Sequence, residues 1–280
     1  RRSGRRRRAA RPRISRRAQH SLRRARPRPP LTSQKGSSTF WEGRRESRPS
    51  SRGIRSALKR MPRPHLIRRS DVPYHASVQV NNREIFPVSF GTTWLVGCGA
   101  LAQSAERYGA EIHAFVQMSN HLHILLSTPR ENLDAVMRYF LSQMAARLHA
   151  RSGRADHLFA ARYKWSVLES SESVAYVYKY VLRNPVRAGI CRSVSDYAYS
   201  SFWPSRALPV AIVEGMGAPW SAVPKAFEAR LAWLDEPAPK ELEELVARAL
   251  RRAEFGFSRA NGVQSALRKL RASYGVPMTR

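Results

Sequence analysis

The segment from residue 111 to residue 127 constrains the fold of this chain more than any other. "EIHAFVQM" (111–118) and "HLHILLS" (121–127) each alternate apolar and polar residues, and the "SN" between them is a turn sequence. Alternation with a period of two puts every second side chain on the same face of a strand. The segment therefore predicts a β-hairpin, whose apolar face needs further strands and helices to cover it.

The flanking patterns supply those elements. Two more strands and two helices are predicted around the hairpin: strands at 74–80 and 163–169, and helices at 92–108 and 133–148. A further helix begins at Ser170 or Ser171 and runs through Tyr180. The resulting order, β-α-β-β-α-β with an added helix, predicts an α+β fold: a ferredoxin-like antiparallel sheet with helices packed on it.

Charge divides the chain into unequal parts. The whole sequence has 50 Lys and Arg against 20 Asp and Glu, and residues 1–60 alone hold 22 and 2 of these. This first segment is also low in complexity, so we expect it to be disordered. A basic arm on DNA, a nonspecific tail and sequence foreign to the natural protein all remain open for it. The overall charge favours a polyanionic partner, and nucleic acid is the first candidate.

The rest of the chain divides near residue 205. Residues 61–205 contain the predicted sheet and its helices, and we interpret them as the functional domain. Residues 206–280 are predicted to form a loop and C-terminal helices: the helices at 225–235, 239–253 and 258–275. The two cysteines form no C-x-x-C motif, and no apolar run reaches the length of a membrane span. These features predict a reduced, cytoplasmic setting without membrane contact.

His121 and His123 are the first candidate site residues. The strand period places both imidazoles on one face, while Leu122, Ile124 and Leu126 point to the other. Neutral imidazole is a common ligand of divalent ions. The H-x-H pattern is short, however, and by itself it does not separate a metal site from a chance pair.

Tyr180 and Asn184 are the second candidate pair. They lie four residues apart, so on one helix they would share a face. The Asn184 carbonyl oxygen could complete a metal shell that two histidines begin. Asn184 also precedes Pro185, and an Asn-Pro pair is equally a good start for a new helix.

Four segments together resemble a known family. "EIHAFVQMSNHLHILL", "HLFAARYKWSVLES", "YKYVLRNPVRAG" and "DYAYSSF" are similar to the successive motifs of single-tyrosine HUH transposases, in particular the REP-associated tyrosine transposases and related insertion-sequence enzymes. The resemblance runs from about residue 61 to residue 202. Ser119 stands where the family usually has Pro, and Ala161 where it usually has Gly.

The resemblance implies a function and a site. His121 and His123 would hold a divalent metal ion (Mg²⁺ or Mn²⁺), Asn184 would be a third ligand, and Tyr180 would be the nucleophile. The enzyme would cleave and rejoin single-stranded, hairpin-associated DNA through a 5′-phosphotyrosine intermediate, as a monomer or homodimer at the bacterial nucleoid. A domesticated or inactive relative that binds hairpin DNA is the alternative.

Several residues around these motifs complete the predicted site. Tyr176 shares a helix face with Tyr180, but the register to "NPVRAG" favours Tyr180 as the nucleophile. His75 and His113 are interpreted as structural histidines. Five basic side chains flank the motifs and are predicted to contact DNA phosphates, although each of them could equally be a solvated surface charge: Arg162, Lys164, Lys179, Arg183 and Arg187. An RNA-recognition-type binder is disfavoured, because that class needs aromatic residues on the exposed central strands.

Overall fold

A computed structural model describes residues 65–202 and 210–257 of the chain. The predicted disordered segment 1–60 and the predicted last helix, 258–275, lie outside these described residues.

The described residues contain one antiparallel sheet of four strands. The predicted hairpin forms one side of it, and the strand order is β2-β3-β1-β4. Each neighbouring pair is antiparallel. The strands are β1 (Tyr74–Gln79), β2 (Glu111–Gln117), β3 (His121–Ser127) and β4 (Lys164–Val167). This arrangement confirms the predicted ferredoxin-like α+β class.

Two of the helices begin at a serine cap that the sequence supplies. Ser89 accepts a hydrogen bond from the Thr92 backbone N–H at the start of the first helix, and Gly109 ends that helix with a φ of 68°. Ser170 caps the helix that carries Tyr180. The six α-helices of the described residues are α1 (Phe90–Tyr108), α2 (Leu133–Ser152), α3 (Ser171–Leu182), α4 (Asn184–Arg187), α5 (Phe227–Asp235) and α6 (Lys240–Ala249).

The sheet separates two apolar clusters. Leu122, Ile124 and Leu126 of β3 pack in the cluster that includes α1 and α2. Leu125 lies in the cluster on the opposite face, which includes α3. Strand alternation therefore points the odd-numbered residues of β3, including both histidines, toward the α3 face.

The C-terminal segment belongs to the second cluster. Buried residues of α5 and α6 pack with those of α3: Leu234, Leu242, Val246 and Ala249. These helices thus cover the side of α3 that faces away from the sheet, and this determines which of its side chains remain accessible. Within the described ranges, no helix has the length and apolar character that a membrane crossing requires.

Candidate active site

His121 and His123 lie on one face of β3, as the alternation predicts. Their ring centroids are 5.0 Å apart. His123 is only 8% exposed. Burial lowers the pKa of His121, and it lowers the pKa of His123 further, with added contributions from His75, His121 and Arg187. Both imidazoles are therefore neutral at pH 7, which is the form that binds a metal ion.

Asn120 fixes the tautomer of His121. Its side-chain nitrogen donates to the Arg83 carbonyl at 2.9 Å, so its oxygen must be the atom that faces His121. That oxygen lies 2.8 Å from Nδ1 of His121 and can only accept, so Nδ1 carries the proton. Nε2 of His121 consequently keeps its lone pair for a ligand.

Tyr180 stands next to the histidine pair. Its ring centroid lies 6.1 Å from that of His123 in an edge-to-face arrangement. The guanidinium carbon of Arg187 lies 4.5 Å from the same ring centroid. The phenol is thus held between an imidazole and a cation, at the C-terminal end of α3.

Asn184 turns back toward the tyrosine helix. Its side-chain nitrogen donates to the carbonyls of Tyr180 at 3.1 Å and Val181 at 3.4 Å. Two carbonyl partners fix the amide orientation and leave its oxygen as the available acceptor. Asn184 is the first residue of α4 and Arg183 is its N-cap, so Asn184 is not the cap of this helix. The chain stays helical here although Pro185 follows, because the N–H that proline lacks is not needed in a first turn.

The other two tyrosines of α3 point elsewhere. Tyr176 is 2% exposed and packs against Phe257, with ring centroids 5.6 Å apart. Tyr178 is 6% exposed and packs against Trp220. Of the three, only Tyr180 lines the cavity beside the histidines.

A cavity of about 300 Å³ brings the predicted residues together. It is lined by His121, His123, Tyr180 and Asn184, by the predicted basic residues Arg162 and Lys164, and by Ser77, Val78, Gln79, Ala160 and Ala161. This lining contains no carboxylate. Within the described residues, no cluster of three or more His, Cys, Asp and Glu side chains is arranged to hold a metal ion. A third protein ligand would therefore have to be a side chain other than His, Cys, Asp or Glu. The Asn184 amide is such a side chain.

The prediction that Lys179 and Arg183 contact DNA is wrong. Lys179 is fully buried, and its ammonium lies 5.1 Å from the centre of the Trp233 ring. Arg183 is 6% exposed and donates to the Leu234 carbonyl at 2.7 Å. The C-terminal helices cover this side of α3, so a phosphate cannot reach either side chain.

Arg187 remains partly exposed, but it is already paired. Its Nε donates to Glu243 at 2.9 Å, and the same carboxylate lies 3.8 Å from Arg183. The sequence did not predict the contacts that Glu243 and Asn120 make, nor the contact of His75 that is described below. Sequence periodicity carries no signal for them, because each contact depends on how separate elements are placed against one another.

The fold and the site together define an α+β domain with a histidine pair and a tyrosine on one face of its sheet. Residues 89–184, about a third of the chain, match the family model described as "Transposase IS200 like". This match agrees with the resemblance that the motifs carry: over this segment the chain is similar to the IS200-like transposases. No protein with a curated description matches the sequence.

Three solved structures are similar to the chain at low sequence identity. A REP-associated tyrosine transposase bound to a REP hairpin is 18% identical, with a TM-score of 0.46, and the match covers 57% of this chain and 93% of that one. A candidate transposase from Deinococcus radiodurans R1 is 18% identical with a TM-score of 0.30, covering 46% and 91%. A bacterial tRNA(His) guanylyltransferase-like protein in complex with GTP is 15% identical with a TM-score of 0.31, covering 43% and 67%. None of the three defines the function of this chain.

Proposed function

We propose that residues 61–205 form a transposase unit that cleaves and rejoins single-stranded, hairpin-associated DNA through a 5′-phosphotyrosine link at Tyr180. One observation carries this proposal: Tyr180, His121, His123 and Asn184, which are distant in sequence, line one cavity. The hairpin as substrate comes from the family resemblance. We place the protein at the nucleoid of a bacterial cell, as a monomer or homodimer.

A divalent ion, Mg²⁺ or Mn²⁺, fits this set of donors. His121 and His123 are neutral imidazoles, and the Asn184 amide presents its oxygen rather than its nitrogen. We assign these three side chains as the protein ligands. The ion, when bound, neutralises charge on the scissile phosphate.

The protein side chains account for the rest of the chemistry. The Tyr180 oxygen attacks the phosphorus, a new phosphorus–oxygen bond forms, and the bond to the 3′ oxygen breaks. The phenol loses its proton and the 3′ oxygen gains one; the cavity lining offers no carboxylate as a base. Arg162 and Lys164 hold neighbouring phosphates, while Arg187 keeps the phenol ring in place. A 3′-hydroxyl of another strand reverses the step without a nucleotide cofactor.

The test is a cleavage assay on a hairpin-bearing single strand. In the His121→Ala/His123→Ala double variant we expect cleavage to be lost while the strand remains bound, because the phosphate contacts are separate from the proposed ligands. Full cleavage by the double variant, or by the wild type in excess chelator, would refute the metal site. Wild-type binding without any cleavage would favour the domesticated hairpin-binding relative.

A further inference from the structure

His75 lies in the sheet, on the strand next to the one that carries His121 and His123. It is 2% exposed, it lies on β1, which is one of the two inner strands, and it does not line the cavity. In the β1–β3 register His75 faces Leu125, and His123 faces Ser77. His75 and His123 are therefore diagonal neighbours on one face of the sheet, at a separation that ring side chains can bridge.

The two imidazoles share one hydrogen bond. Nε2 of His75 lies 2.9 Å from Nδ1 of His123, and the rings stack with centroids 5.1 Å apart. One proton occupies this bond, so two arrangements exist. If His75 donates, the remaining proton of His123 sits on Nε2 and blocks that atom as a ligand. If His123 donates from Nδ1, its Nε2 lone pair is available.

His121 shows the arrangement that a ligand needs. Its Nδ1 proton is bound by the Asn120 oxygen, which leaves Nε2 as a donor to an ion. Histidine ligands in metalloproteins generally donate their second N–H to such a partner, which fixes the tautomer and the ring orientation. His75 is in the corresponding position for His123.

We propose that His75 is a positioning residue for the metal site: it accepts the Nδ1–H of His123 and thereby presents the Nε2 of His123 to the divalent ion. This inference rests on the proposed function, because it requires His123 to be a ligand. In the ion-bound state the proton of His75 resides on its own Nδ1. Ion binding and the tautomer of this buried pair are therefore coupled.

The chemistry of the acceptor has a further consequence. A carboxylate in the place of His75 would add negative charge and make His123 a more basic ligand. A neutral imidazole orients His123 without adding that charge. An ion held by this pair would consequently keep more of its positive charge for the phosphate oxygens.

The test measures Mn²⁺ binding to the full-length protein without DNA, using the electron paramagnetic resonance signal of free Mn²⁺. His75→Phe keeps a ring in the stack but removes the acceptor, and we expect its Mn²⁺ affinity to fall about 10- to 100-fold. His75→Gln can accept through its amide oxygen and should recover most of the loss. His113→Phe is the matched control: it is another buried histidine, bonded to Ser127 and Val213, and it should leave the affinity unchanged.

A urea unfolding curve for each variant separates loss of the fold from loss of the site. A folded His75→Phe protein with wild-type Mn²⁺ affinity overturns the inference, and so does a His75→Gln protein that binds no better than His75→Phe. If His75→Phe does not fold, ¹⁵N NMR of the wild-type imidazoles with saturating Mg²⁺ decides. Nδ1 of His123 must then carry the shared proton, and a proton on Nε2 of His75 refutes the inference. A wild type that binds no Mn²⁺ at all overturns the metal site of the proposed function as well.

Discussion

Glu243 joins the C-terminal helices to the tyrosine helix, and its replacement by Gln tests that connection. Its carboxylate accepts from Arg187 at 2.9 Å and lies 3.8 Å from Arg183, whose side chain is 8% exposed. Glu243→Gln keeps the shape of the side chain and removes its charge. Arg183 would then retain the Leu234 carbonyl as its described hydrogen-bond partner, while its charge stays buried.

The expected cost follows from this burial. A hydrogen bond between charged groups contributes about 1.5–3 kcal/mol, and removing one partner of a fully buried ion pair costs about 3–5 kcal/mol. Glu243 is 18% exposed and Arg187 25% exposed, so the pair is only partly shielded from water. We therefore expect Glu243→Gln to lower the free energy of unfolding by about 2–3 kcal/mol.

Glu244 provides the matched control on the same helix. It pairs with Arg248 at 3.7 Å, and both side chains are more than half exposed. Exposed pairs of this spacing contribute about 0.3–0.5 kcal/mol, so Glu244→Gln should change stability by no more than that. Urea unfolding at low and high salt measures both variants, and salt should screen only the exposed pair. Equal losses in the two variants, or a loss below 0.5 kcal/mol for Glu243→Gln, would refute the buried connection.

Further predictions concern other parts of the described structure. Lys164→Met should weaken single-strand binding and reduce the salt dependence of that binding. Lys179→Met should change neither, because Lys164 is exposed and Lys179 is buried. Binding titrations at several salt concentrations compare the two variants. Asn184→Ala should weaken Mn²⁺ binding while Asn184→Asp retains it, because a carboxylate still offers an oxygen ligand; equal binding by both would remove Asn184 from the ligand set. Burial raises the pKa of Cys98 to about 12. Above pH 9 the unfolded state therefore binds fewer protons than the folded state. The free energy of unfolding should then fall by up to about 1.4 kcal/mol per pH unit. At pH 8 a thiol reagent should modify Cys191 but not Cys98 until the protein unfolds, and early reaction of Cys98 would contradict its burial.

Local periodicity was sufficient to predict the sheet, whereas the residues of the candidate site were selected by the family resemblance. The alternation in residues 111–127 predicted both hairpin strands, and it placed His121 and His123 on the face opposite Leu122 and Ile124. The spacing of Tyr180 and Asn184 likewise predicted that both would share a helix face, and both side chains line the cavity. These features depend only on the geometry of a single element, so the sequence is enough to establish them.

Contacts between elements could not be predicted in this way. Lys179 looked like a surface charge on α3 because nothing in its neighbourhood shows that α5 and α6 cover that side. The contact between His75 and His123 depends on the register of two strands 48 residues apart. A shift of that register by one residue would turn one ring to the opposite face of the sheet. Both cases are decided by packing rather than by local pattern.

The location of the covalent protein–DNA link tests the central proposal most directly. We expect the wild type to form a denaturant-resistant adduct with a hairpin-bearing single strand, and mass spectrometry of the digested adduct should place the modification on Tyr180. Tyr180→Phe should form no adduct and unfold at nearly the same urea concentration, because its ring is kept. Tyr176→Phe should still form the adduct, since Tyr176 packs against Phe257 away from the cavity. An adduct on Tyr176, or one that persists in Tyr180→Phe, would contradict the assignment of the nucleophile.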